Sequence, residues 1–112
     1  MVQTTVGGPQ PEFARQGREL QRYGSNGERL VAGCIPVRII KPGTTEQRVE
    51  ILLISSRGGD GLVIPKGGWE TDETVEDAAA RETVEEAGVR GQLEVPMAHL
   101  GASRAGVQHV PP

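Results

Sequence analysis

The sequence holds 112 residues with a formal net charge of −3, 36% apolar and 3% aromatic side chains, and one cysteine. That length allows one small domain with limited surface to bury, and the slight acidity gives no global attraction to nucleic acid or to an anionic membrane, so a polyanion must be held by a local basic patch or a metal. The lone Cys34 excludes an internal disulfide and fits a reducing compartment, cytoplasmic or nuclear; no stretch is long and apolar enough to span a bilayer, residues 1–20 lack the apolar core of a signal peptide, and a mitochondrial address stays open.

In chain order, residues 1–16 read as a flexible arm. Gly24-Ser25-Asn26-Gly27 is a turn signal. Leu30 to Ile40 is rich in Val and Ile and reads as a strand, with Pro36 removing a backbone donor, so a bulge or a sheet edge is expected there. Cys34 lies inside this run and is expected to be a buried structural thiol. Lys41-Pro42-Gly43 turns the chain. Val49 to Ser55 has a continuous apolar centre, Ile51-Leu52-Leu53-Ile54, which predicts a strand covered on both faces. A loop at 56–61 leads to a short strand, Leu62-Val63-Ile64, that Pro65 ends. The interior is expected to rest on aliphatic side chains, with Trp69, Phe13 and Tyr23 as its large rings.

The segment from Gly67 to Val89, GGWETDETVEDAAARETVEEAGV, carries the chemistry. Gly67-Gly68 permits a sharp turn and close approach to a ligand, and Thr74 followed by Asp77 forms an N-cap with an acidic third residue. The alanines at 78–80 favour a helix, which Gly88 ends as a left-handed cap. On it Glu82, Glu85 and Glu86 stand at i, i+3 and i+4 and share one face. Clustered carboxylates repel unless a cation neutralises them, and an all-oxygen ligand set suits Mg²⁺ or Mn²⁺, which complete their shells with water and phosphate oxygens. On helix pattern alone the bland reading, an acidic helix with a solvated face, is the favoured one. Gln92 to Val95 reads as a further strand. From Pro96 to Pro112 no period is visible and the segment is expected to be irregular, which leaves His99 and His109 without a ligand role.

The full spacing resembles the Nudix box, G-x5-E-x7-R-E-U-x-E-E-x-G-U with U aliphatic, through Gly67, Glu73, Arg81, Glu82, Glu85, Glu86, Gly88 and Val89, with Thr83 the one departure. GRELQRY at 17–23, VAGCIP at 31–36, LLISSR at 52–57 and the box itself are similar to the plant-type branch related to diphosphoinositol polyphosphate phosphohydrolases. The resemblance implies an α+β fold, an α/β/α sandwich around a mixed β-sheet, over residues 17–95. It also implies Mg²⁺- or Mn²⁺-dependent cleavage of a phosphoanhydride in a phosphorylated small molecule, a diphosphoinositol polyphosphate or a dinucleoside polyphosphate. By position in the motif, Glu82, Glu85 and Glu86 with the Gly67 carbonyl are the implied metal ligands, Glu85 and Arg81 the catalytic pair, and Glu73 a partner of Arg81. Ser55, Ser56, Arg57, Lys66, Gly67, Gly68, Arg22 and Arg29 are the implied substrate contacts. Trp69 either stacks on a base or closes the turn. The family's later strands and second helix have no match after Val95, so the resemblance also predicts an incomplete domain with an open apolar sheet face; a catalytically deficient form that only binds is the alternative reading.

Overall fold

A computed structural model describes Gln3–Thr4, Arg15, residues 17–100 and residues 103–109, with side chains for Arg15 and residues 17–94. The elements are β1 (Gln3–Thr4), β2 (Val31–Ile40), β3 (Arg48–Ile51), β4 (Ile54–Ser55), β5 (Leu62–Val63), β6 (Lys66–Gly68), α1 (Val75–Ala87), β7 (Gln92–Leu100) and β8 (Ser103–His109). They form a mixed sheet in the order β1-β7-β8-β2-β3, with β6 also paired to β2, and a separate β4-β5 hairpin. The fold is α+β, as expected.

β2 is the central strand. It runs parallel to β8 over Val31–Val37 on one flank, and on the other is antiparallel first to β6 (Val31–Gly33) and then to β3 (Val37–Ile40). Pro36 therefore sits neither at an edge nor at a bulge, contrary to expectation. It lies in the gap between the two partners of one flank, where a missing N–H costs no ladder bond, and its carbonyl accepts from the Leu52 amide at 3.0 Å.

The helix follows its local signals. Thr74 accepts from the Asp77 amide, Gly88 adopts φ 71°, and its amide donates to the Val84 carbonyl. Ala78 and Ala79 of α1 pack on Ala32 and Cys34 of β2 and on Leu93 of β7, with Trp69 and Val75 against them. Small side chains on both surfaces let helix and sheet approach closely. Leu93 is the largest aliphatic group in this cluster, and its burial stabilises by about 2 kcal/mol. The largest fully buried side chain among the described residues is a charged one, Arg81.

Three expectations need correction. The apolar run at 49–55 is no single buried strand: it breaks at Leu52-Leu53 into β3 and β4, and Val49, Ile51, Leu52 and Leu53 are exposed, Ile51 to 56%. β3 is an edge strand paired only with β2, so the apolar run has a neighbour on one side alone. Residues 96–112 are not irregular throughout, because β7 continues through Leu100 and β8 spans Ser103–His109. Their pairing carries a register shift between Glu94 and Ala98, around Pro96, which hides any sequence period. Within the N-terminal arm, Gln3–Thr4 pairs with Leu93–Glu94; the rest of the arm lies outside the described residues, apart from Arg15. Of the three rings, Trp69 packs on the core, Tyr23 is exposed, and Phe13 lies outside the described residues.

Candidate functional site

The site is built where β6 and the segment after it meet the second half of α1; Gly67 and Gly68 lie in β6, paired to Ala32 and Val31 of β2, so the chain does not turn at the glycines as expected but at residues 71–73. Arg81, 1% exposed, points its guanidinium back toward that turn. Nε donates to Glu73 Oε2 at 2.9 Å and Nη2 to Glu73 Oε1 at 2.5 Å, a two-pronged pairing. Nη2 also donates to the Gly68 carbonyl at 2.9 Å, and Nη1 to Glu82 Oε1 at 2.8 Å and Glu85 Oε1 at 3.2 Å. Glu70 Oε1 stands 3.6 Å from Nη2. One cation thus organises four carboxylates from the turn and the helix, and negative charge remains in excess.

Electrostatics follow from this crowding. Burial works against the charge on Arg81, yet Glu73, Glu82 and Glu85 hold it well above the ordinary arginine range. Burial pushes the Glu82 carboxyl up to about 7; Arg81 opposes this, while Glu85 and Glu86 add to it. A carboxyl in that state gains strongly from a second nearby cation. Gly67 lies against it: a Cβ there would stand 2.1 Å from Glu82 Oε2, so only glycine lets strand β6 approach the carboxylate this closely.

Among the described residues, no three His, Cys, Asp or Glu side chains already converge as a ligand set. The donors present nevertheless fit a hard cation. Glu82, Glu85 and Glu86 are all-oxygen donors close enough to perturb one another, and the buried Glu82 stands against Gly67 of β6.

Other predicted residues are placed as follows. Glu86 and Lys66 are exposed beside this centre, on α1 and β6. Ser55, Ser56 and Arg57 lie at the β4-β5 hairpin, where the Ser56 amide bonds the Gly61 carbonyl and its hydroxyl accepts from the Asp60 amide. Arg29 donates through Nε to Gln21 Oε1 at 2.8 Å. Arg22 donates to the carbonyls of Glu70, Thr71 and Glu73. Both arginines thus have donors engaged within the fold. Trp69 closes the turn, its Nε1 donating to the Glu73 carbonyl at 3.0 Å.

Sequence reasoning missed Gln21, Glu70 and Arg15. Gln21 is buried, and its Nε2 reaches the carbonyls of Arg22, Leu30 and Trp69. A single polar residue between Leu20 and Arg22 gives no periodic signal of burial. Arg15 donates its backbone amide to Glu85 Oε1 at 3.1 Å and its guanidinium to Asp72 at 2.8 Å, a contact across the whole chain that no local pattern announces.

The NUDIX domain family model matches residues 36–108, a span from the second half of β2 through most of β8. Three Arabidopsis thaliana proteins are similar to most of the chain. Nudix hydrolase 16, mitochondrial, is 60% identical over 85 residues, covering 71% of this chain and 47% of that protein. Nudix hydrolase 21, chloroplastic, is 57% identical over 82 residues (72% and 40%), and Nudix hydrolase 4 is 54% identical over 84 (72% and 41%). The chain spans less than half the length of these curated relatives. No helix among the described residues is long and apolar enough to cross a membrane. A family model matched across more than half of the sequence, with relatives at this level of identity, shows that the chain belongs to the Nudix family.

Proposed function

We propose that this chain carries the metal-binding half of a phosphoanhydride hydrolase whose substrate is a diphosphoinositol polyphosphate or a dinucleoside polyphosphate. The observation that supports it most is the buried Glu82 carboxylate packed against Gly67 of β6, with Glu85 and Glu86 beside it on the same helix. Glu82 and Glu86, with Glu85 and the Gly67 carbonyl, would hold Mg²⁺ or Mn²⁺. Bound there, such an ion acidifies a coordinated water and offsets charge on the leaving phosphate. Arg81 orients Glu82 and Glu85 through Nη1 while Glu73 fixes the guanidinium. Glu85 is the proposed proton acceptor, within reach of the same centre. Exposed Lys66 and Arg57, with Ser55 and Ser56, supply the cationic and hydroxyl contacts to phosphate.

The experiment is Mg²⁺-dependent phosphate release from a diphosphoinositol polyphosphate by the purified chain, beside Glu82→Gln and Glu86→Gln. Activity in the parent and its loss in both variants supports the reading; activity that survives Glu82→Gln overturns it. A second reading, metal or partner binding without turnover, is favoured by the exposed apolar edge at Val49, Ile51, Leu52 and Leu53. An inactive parent that still binds Mn²⁺ through Glu82 decides for that reading.

A further inference from the structure

We infer that Arg22 is a positioning residue, holding the Trp69–Glu73 turn in the shape that presents Glu73 to Arg81 and, through Arg81, aims Glu82 and Glu85. The chain of contacts is continuous. Arg22 Nε donates to the Glu70 carbonyl at 3.0 Å, and Nη2 to those of Thr71 and Glu73 at 3.1 and 3.2 Å. Its guanidinium also lies over the Trp69 ring, 4.5 Å from the centroid. The Glu73 carbonyl thus receives both Arg22 and Trp69 Nε1, while its carboxylate receives Arg81 and the Glu70 amide at 3.0 Å. Backbone and side chain of Glu73 are therefore fixed from opposite directions, one by Arg22 and the other by Arg81.

Arg15 touches the same turn only at its surface carboxylates, Glu70 and Asp72, and leaves its backbone carbonyls to Arg22. The turn lies between the end of β6 and the start of α1, and its backbone ties run outward: Trp69 N to Leu30 O at 3.0 Å, Thr71 N to Leu20 O at 2.7 Å, and Arg22 N to Trp69 O at 2.9 Å. All lead into the 20–30 segment that carries Arg22. Gln21 reinforces the same seam, bonding the carbonyls of Leu30 and Trp69. A planar fork can span three carbonyls while stacking on an indole; an ammonium at the end of a flexible stem cannot do both. Arg22 therefore acts at one remove from the metal centre, and the inference rests on the proposed metal site only in what Glu82 and Glu85 are aimed at.

A residue that merely staples the fold would loosen everything together when changed. A positioning residue would loosen the fork and spare the helix. The test is side-chain Nε–H exchange of Arg81, followed by NMR in the metal-free chain, in the parent, Arg22→Lys and Arg22→Ala. Arg22→Lys keeps the charge and most of the stem, so it stands in should Arg22→Ala not fold. The expected result is exchange at Arg81 Nε–H about tenfold or more faster in the variants, with amide protection across Ala78–Thr83 unchanged. Unchanged exchange, or exchange that rises only in step with those amides, overturns the inference. Mn²⁺ titration of the parent and of Glu82→Gln is a separate arm: equal affinity in both would sink the metal-site reading and leave the exchange result to judge Arg22 alone.

Discussion

Thr83, the one residue of the motif that is not aliphatic where the motif asks for it, lies fully buried in hydrogen-bonding contact with the Cys34 thiol. Its hydroxyl donates to the Ala79 carbonyl at 2.8 Å, one helical turn back. The polar atom is thus satisfied within its own helix, and the departure costs little. Helix and central strand meet at this pair.

Thr83→Val restores the aliphatic pattern without changing the side chain's shape. The Ala79 carbonyl keeps its backbone bond from the amide four residues on, and the buried group that gives up a contact is the Cys34 thiol, a weak hydrogen-bonding group. The expected outcome is unchanged stability or a gain of up to about 1 kcal/mol in urea denaturation. A loss larger than that would mean the Thr83–Cys34 contact carries stability of its own.

Cys34 makes stability fall at alkaline pH. Burial pushes its thiol from 9.0 to about 11, with Thr83 offsetting part of the effect. The folded pKa is raised, so the contribution is complete below about 9 and is lost as pH rises toward 11, where the unfolded chain ionises and the folded one resists. Across that window the loss is on the order of 2 kcal/mol. Denaturation curves of the parent and Cys34→Ala, compared at pH values on both sides, isolate it from other titrating groups: the difference between them should shrink as pH rises.

The helix was legible because its determinants are local: the Thr74 cap, the alanine run and Gly88 lie within one stretch, and carboxylate spacing on a helix follows from its geometry. The sheet was less so. Ile51-Leu52-Leu53-Ile54 has the composition of a doubly covered strand, but cover is supplied by other elements, and β3 has a single neighbour. β7 and β8 pair with each other across the register shift at Pro96, which breaks the alternation a window would show, and their outer partners, Gln3–Thr4 and Val31–Val37, lie more than fifty positions away. Arg22 is the same case for a side chain. An arginine that binds phosphate and one that braces a turn look identical until the carbonyls of Glu70, Thr71 and Glu73 are seen around it.

Arg81→Met tests how much the fold depends on the fork. It removes the buried cation and leaves Glu73 and Glu82 without their main partner. Breaking one side of a buried ion pair costs about 3–5 kcal/mol, a large share of a small domain's stability. Denaturant titration should show that loss, and adding Glu73→Gln to Arg81→Met should recover part of it. A double variant no more stable than Arg81→Met would show that Glu73 does not carry the strain.

Arg15 and Asp72 form a surface contact with a pH signature. The hydrogen bond from Arg15 holds the Asp72 carboxyl below the usual carboxylate range, against a slight opposing effect of burial. A depressed folded pKa contributes above the ordinary aspartate range and is lost as pH falls through the folded value. Carboxyl NMR titration of Arg15→Ala should show Asp72 moving back up to its usual range, and high salt should do the same to the parent in part. An Asp72 that titrates identically in both chains would show that the Arg15 contact is not populated in solution.

Gly67→Ala separates metal binding from folding. The added methyl would stand 2.1 Å from Glu82 Oε2 and 2.3 Å from its carboxyl carbon, so either the carboxylate swings away or strand β6 shifts. Glu82 is a side chain with three torsions and can move; β6 is tied to β2 at Ala32–Gly67 and yields less readily. The methyl should therefore displace the carboxylate while helix and sheet persist. Mn²⁺ affinity is expected to fall at least about tenfold, equivalent to about 1.4 kcal/mol, with circular dichroism and the denaturation midpoint close to the parent's. Affinity unchanged in a folded Gly67→Ala chain would mean that Glu82 holds no ion in this position, and the ligand set would have to be rebuilt on Glu85 and Glu86.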